Sequence, residues 1–239
     1  MTTPVAAPAL VRLGRVDSTQ TVAFALAADG AADRTVVVAQ AQTAGRGRHG
    51  RLWLDEPGAS LLMSIILRPR LEPARLPTLS LAAGVAVVEA LERVTGLKPR
   101  LKWPNDVLVD GRKLAGILLE SRISPSPLVV LGIGVNLAQR VFLADLAERA
   151  TSVRLATGRR VDADALLTAL LESLDAWRTR LETEGWAPIR ERWRALTETL
   201  GRRVSIDSVE GVAVDVDEDG ALIVAEGDVR RRVVAGEVN

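Results

Sequence analysis

Residues 42–51 (QTAGRGRHGR), with Trp53 just beyond them, carry the densest chemistry in this chain. Arg46, Arg48 and Arg51 alternate with Gly45, Gly47 and Gly50. Glycine lets a backbone wrap closely around a ligand, and guanidinium groups can converge on one anion with paired donors. Such a loop suits a polyphosphate or an acyl phosphate; standing alone, it reads first as a solvated basic turn. Residues 102–106 (KWPND) set the cation Lys102, the amide Asn105 and the carboxylate Asp106 around a rigid turn. Asn105 and Asp106 could hold a hydrated magnesium ion beside phosphates, or Asp106 could simply cap its own turn. Lys113 opens the run KLAGILLE, and period-two alternation predicts it on the face of Ala115, Ile117 and Leu119. A lysine there needs an anion or an exit to solvent, so it is either a ligand for an anion or a snorkelling strand end. Gly116 faces the other way and, with Gly132 and Gly134, clears a surface for a ligand, another strand or ordinary packing.

The elements that must position these groups are readable in outline. Ser18 is a candidate helix N-cap, ahead of a stripe with Val22, Phe24, Leu26 and Ala27 that Gly30 closes. Residues 35–40 and 61–67 read as buried strands on either side of the glycine-arginine loop. Residues 79–94 form a helix capped by Thr78 and ended by Gly96. Short strands at 100–102 and 107–109 flank the KWPND turn, Asp110-Gly111 marks a hairpin into 113–120, and 128–134 is a further buried strand. Close-set strands with few helices between them predict an α+β fold with a mixed or largely antiparallel sheet and helices on one side. Residues 163–184 and 189–200 are helices with Trp177 and Trp193 on their apolar sides. After Gly201 the text alternates with period two around an Asp219-Gly220 turn, which predicts a small five-strand barrel.

Composition narrows the chemistry further. The chain has 239 residues, enough for one sizeable core and a smaller module. With 31 basic and 30 acidic residues there is no global field to attract nucleic acid or a membrane surface. No cysteine and a single histidine, His49, exclude disulfides, thiolate nucleophiles and a His-x-x-His metal pair. The N-terminus lacks the charge and apolar run of a secretory signal, and the later apolar runs read as too short to span a bilayer, so a cytoplasmic protein is expected.

The GRGRHGR loop with Trp53, then KWPND, KLAGIL and GIGVN, in that order and at these intervals, resemble the biotin-protein ligase family. The resemblance is strong over residues 16–136, weaker in the helices that follow, and one of pattern in the last strands. It implies a catalytic domain akin to class II aminoacyl-tRNA synthetases over residues 1–200 and an SH3-like barrel over 201–239. It also implies that Ser18, Thr19 and Gln42 hydrogen-bond the ureido end of biotin, with Gln20 as a third contact where the family commonly has asparagine. Arg46, Gly47 and Arg48 would close over the carboxylate and α-phosphate, Arg51 would reach the phosphates, and Lys113 would contact the carboxylate or α-phosphate beside Gly116. Trp53 would pack near adenine. Lys102, Asn105 and Asn136 would serve the nucleotide and Asp106 a magnesium ion, with Arg48, Lys113 and Asp106 as the catalytic set.

The implied reaction joins biotin to AMP from ATP, then passes biotin to a lysine of a biotin carboxyl carrier protein, as in acetyl-CoA carboxylase. It requires no protein nucleophile. A sheet-edge homodimer is expected on the same ground. The residues before Val16 are too few for the DNA-binding module of some relatives, so sequence-specific DNA binding is not expected, nor is any nucleotide contact of the kind longer relatives make beyond the position of Asn239. Three competitors remain: a lipoate or octanoate ligase on a related scaffold, a non-catalytic nucleic-acid binder using the loop on phosphates, and an inactive adaptor. Few aromatics, 3% of residues, leave little stacking surface for the second.

Overall fold

A seven-stranded sheet carries the cleft, and a separate four-stranded sheet follows it in the chain. The computed structural model describes residues 9–123 and 127–238. The first eight residues, part of the stretch read as neither a secretory signal nor a DNA-binding module, lie outside these, as does Asn239.

Strand β1 (Leu10–Val16), not anticipated among the expected elements, lies at the sheet edge. Helix α1 (Thr19–Ala28) crosses from it to the parallel strand β2 (Val36–Gln42). Ser18 caps α1, its Oγ accepting from the Gln20 N–H. After the glycine-arginine loop, β3 (Ser60–Leu67) runs antiparallel to β2. Helix α2 (Thr78–Thr95) has Pro77 rather than Thr78 at its N-cap, and the Thr78 hydroxyl, inside the helix, donates back to the Arg75 carbonyl. It ends at Gly96, in the left-handed conformation at φ 76°.

Strands β4 (Arg100–Lys102), β5 (Asp106–Val109), β6 (Arg112–Arg122) and β7 (Leu128–Asn136) complete the sheet in the order β1-β2-β3-β7-β6-β5-β4. Asp110 and Gly111, both at positive φ, make the turn between β5 and β6. Short helices α3 (Ala144–Ala147) and α4 (Val153–Thr157) lead to α5 (Ala163–Thr183) and α6 (Ala187–Leu196).

Helices cover both faces of the sheet, not one. Leu61, Met63 and Ile65 of β3, with Leu131 and Ile133 of β7, face the main core under α2 and α5. The alternate residues Ile66 and Val130 pack with Val37 against Ala23 and Ala27 of α1. A parallel β1–β2 pair requires a crossover, and here α1 is that crossover, on the opposite face. The helix Pro73–Thr95 is long and apolar enough to cross a membrane, contrary to the sequence expectation, with mean hydropathy 1.4. Its apolar character belongs to the core, because 72% of its most apolar 18-residue stretch is buried in the protein.

Strands β8 (Arg203–Ile206), β9 (Val209–Val216), β10 (Leu222–Glu226) and β11 (Val229–Val233) form an antiparallel sheet in the order β11-β10-β9-β8. It has four strands rather than the five expected. The last alternating stretch leaves β11 after Val233, turns at Gly236 with φ 135°, and runs to the cleft instead of adding a strand. Val204, Ile206 and Val224 join the same continuous core as α2. The Trp103 indole N–H donates to the Gly220 carbonyl at 3.1 Å and ties the KWPND turn to this sheet.

Candidate active site

The cleft, about 420 Å³, opens over the face of β6 and β7 that α1 leaves uncovered. Ser18, Thr19, Gln20, Gln42, Arg46, Gly47, Arg48, Arg51, Trp53, Lys102, Asn105, Asp106, Lys113 and Gly116, all singled out from the sequence, line it. Asn136 does not: it is buried behind the wall, its amide donating to the Thr151 carbonyl and accepting from Gln139. Ser64, Gly236 and Glu237 line the cleft without having been anticipated.

The glycine-arginine loop is a hairpin. Gly47 N–H donates to the Arg51 carbonyl at 2.8 Å and Trp53 N–H to the Gly45 carbonyl at 3.0 Å, with Arg48 to Gly50 as the tip. A side chain on Gly45 would stand 2.5 Å from the Trp53 carbonyl, so the crossing of the two arms demands glycine.

Arg46, Arg48, Arg51 and Lys113 each have an internal partner. Arg46 pairs with Glu120 of β6 at 2.6 Å, Arg51 with Glu237, and Lys113 with Asp106 at 2.6 Å. Arg48 donates to the Asn105 side-chain oxygen at 3.4 Å and the Gly236 carbonyl at 3.3 Å, while the Asn105 amide holds the Ile117 carbonyl. Burial lowers the Arg48 pKa, an effect that Asp106 and Glu237 offset in part. The hydrogen bond from Arg51, with Lys102 and Lys113 nearby, holds the Glu237 carboxyl below its ordinary value.

Lys113 reaches this cluster because alternation fails at its strand. Val107 pairs with Ala115 but Leu108 with Lys113, so Leu114 is an extra residue, a β-bulge. Leu114 and Ala115 both enter the core, and Lys113 turns to the face of Gly116 instead of that of Ile117. There its Nζ lies 5.7 Å from the Trp53 ring centre. The Trp53 indole rests on the paired glycines Gly116 and Gly134, where an added methyl would come within 2.9 and 2.6 Å of the ring. The indole N–H has no protein acceptor among the described residues.

The far end of the cleft is polar and its protons can be assigned from partners. The Thr19 backbone N–H donates to the Gln42 side-chain oxygen at 2.8 Å, which fixes that oxygen and turns the Gln42 amide N–H groups toward the cleft. The Gln20 amide nitrogen faces the carbonyls of Val130 at 3.0 Å and Leu118 at 3.5 Å, so its oxygen must be what accepts from Ser64 at 2.9 Å. Ser64 thus gives its proton to Gln20. The Thr19 hydroxyl, 2.9 Å from Ser64 and 3.1 Å from the Gln42 oxygen, sends its own proton inward and keeps a lone pair for the cleft. Ser18 Oγ accepts from the Gln20 N–H and retains its proton. This end therefore offers donors from Gln42 and Ser18 beside an acceptor from Thr19. That matches the carbonyl and one N–H of a cyclic urea.

The sequence and structure are similar to known proteins throughout. The family model for the Biotin/lipoate A/B protein ligase family matches residues 13–136, and that for the Biotin protein ligase C terminal domain matches residues 199–239. A biotin–[acetyl-CoA-carboxylase] ligase of Paracoccus denitrificans is 38% identical over 237 residues, 95% of this chain and 98% of that protein. Its counterpart from Mycobacterium tuberculosis is 36% identical over 240 residues, 95% of this chain and 86% of that protein. The structure of a biotin protein ligase from Aquifex aeolicus in complex with biotin and ATP superposes with a TM-score of 0.85 at 30% identity, covering 97% of each chain. With the match spanning sheet, loop and cleft, the chain belongs to the biotin/lipoate A/B protein ligase family.

Proposed function

We propose that this protein is a biotin-protein ligase, which activates biotin with ATP as biotinyl-5′-AMP and transfers the biotinyl group to a lysine of a biotin carboxyl carrier protein. The observation that carries the reading is one cleft whose polar end fits a urea and whose lining also includes the cations Arg46, Arg48, Arg51, Lys102 and Lys113. The ring of lipoate has no N–H or carbonyl to match the polar end, which disfavours lipoate as substrate. Nucleic-acid binding is disfavoured because 31 basic against 30 acidic residues leave no global attracting field and 3% aromatics leave little stacking surface.

In the first step a biotin carboxylate oxygen bonds to the α-phosphorus and the bond to pyrophosphate breaks. Arg46, Arg48 and Lys113 hold the carboxylate and α-phosphate, and Arg51 and Lys102 take the departing phosphates, so developing charge meets prearranged donors. Asp106 is the carboxylate positioned to share a magnesium ion with the phosphates. Asp106 and Asn105 line the same cleft as these cations and supply oxygen donors of the kind such an ion accepts. Magnesium so held would screen phosphate charge. In the second step a carrier lysine amine bonds to the acyl carbon and AMP leaves with the anhydride oxygen. Asp106 is the candidate to take the proton that the lysine gives up, since free lysine, with a pKa of about 10.4, is mostly protonated.

Kinship of the catalytic sheet with class II aminoacyl-tRNA synthetases, an SH3-like character for β8–β11 and a boundary near residues 200–201 belong to the same proposal. So do a cytoplasmic location and a homodimer pairing through the open edge of β1. The test is direct: incubation with biotin, ATP, magnesium and a purified carrier domain should add one biotinyl group to the carrier by mass spectrometry. An unmodified carrier, with a known ligase succeeding in parallel, would overturn the reading.

A further inference from the structure

Gln20 looks from the sequence like one more hydrogen-bonding contact for the ligand, but its polar atoms are engaged by the protein. The residue is 2% exposed. Its amide nitrogen, which has two hydrogens, faces two strand carbonyls, Val130 and Leu118, and its oxygen accepts from Ser64, itself fully buried. The amide lies over Gly132, where an added methyl would come within 2.8 Å of the Gln20 oxygen. Gly132 is therefore open to receive Gln20 rather than a ligand, and the two close the polar end of the cleft beside Thr19.

We propose that Gln20, seated on Gly132, is a specificity-determining end wall that sets the depth of the cleft's polar end and admits only a urea whose nitrogens carry hydrogen. This rests on the reading that a cyclic urea binds at the polar end. With both of its N–H groups taken, Gln20 acts on the ligand by shape, not by bonding. A substituent on the urea nitrogen next to it must enter space that this side chain fills, and such overpacking costs enough for about a tenfold preference or more.

The experiment measures kcat/KM for adenylate formation with biotin and with each of its two N-methyl urea isomers. Wild-type protein is expected to reject at least one isomer. Gln20→Ala should relax that rejection at least tenfold, while Gln20→Met, which refills the space without hydrogen bonds, should keep it within about twofold. A Gly132→Ala substitution, which pushes Gln20 into the cleft, should raise KM for biotin in the presence of Gln20 and have little effect in the Gln20→Ala background. Melting curves identify variants that fold, and Gly132→Ala tests the wall if Gln20→Ala does not. Analogue preferences that do not move with Gln20, or a Gly132→Ala penalty equal in both backgrounds, would overturn the proposal. If wild-type protein fails to use biotin at all, the assignment of the reaction fails instead.

Discussion

Replacing Lys113 with methionine separates catalysis from stability. Methionine keeps an apolar stem beside Trp53 but removes the charge 2.6 Å from Asp106. The Lys113 and Asp106 side chains are 36% and 25% exposed, so their ion pair is screened and contributes about 1 kcal/mol or less. For a chain of this size that is a fall in Tm of no more than about 4 °C. The charge matters far more to the reaction, because removing one prearranged donor to a developing oxyanion costs about 10²–10³ in rate. Initial rates of pyrophosphate release against biotin and ATP, beside a thermal melt, would show both. The expected result is a loss of at least a hundredfold in kcat/KM with a nearly unchanged Tm. A rate within threefold of wild type would refute the role assigned to the bulge that turns Lys113 into the cleft. So would a Tm drop above about 10 °C.

Gly134→Ala sets a methyl 2.6 Å from the Trp53 indole. It should cost about 1–3 kcal/mol by overpacking, with red-shifted indole emission as Trp53 lifts; unchanged melting and emission would contradict this contact. Glu237→Gln removes the partner of Arg51. Because the folded-state pKa of Glu237 is depressed, its contribution, about 1 kcal/mol or less between these exposed groups, is present above the ordinary glutamate value of about 4.3. It is lost as pH falls through the lower folded value, so wild-type and variant melting points should converge in acid; a gap that widens there would be the wrong sign. Trp103→Phe leaves the buried Gly220 carbonyl without its donor and should lower stability by about 1–3 kcal/mol in denaturant unfolding, whereas no change would show that this link between the sheets is idle.

Much of the site was legible because the chemistry is concentrated in short runs. The loop, the KWPND turn and Lys113 could be placed together from residue type and order, and all of them line one cleft. What alternation could not deliver was the direction of Lys113, because a single bulge at Leu114 inverts the strand's faces and leaves no mark in the pattern of apolar residues. Ser64 was hidden for a related reason: one serine in LLMSIIL looks like tolerated polarity until its partners Thr19 and Gln20 are known. Glu237 lies 186 residues from Arg51, a separation over which only the fold could reveal a pair. The mixed sheet followed from the spacing of strands, but β1 did not, since an edge strand with exposed Arg12 and Arg15 lacks the apolar alternation of a buried one. The expected fifth strand failed because Gly236 breaks the run and sends it toward the arginine loop.

The most direct measurement of the central claim is a single-turnover reaction of the protein with biotin and radiolabelled ATP in magnesium, before any carrier is added. The account predicts biotin-dependent release of pyrophosphate, with labelled biotinyl-5′-AMP retained by the protein until a carrier domain discharges it. No biotin-dependent pyrophosphate at saturating substrates, or equal turnover with lipoate in place of biotin, would contradict it.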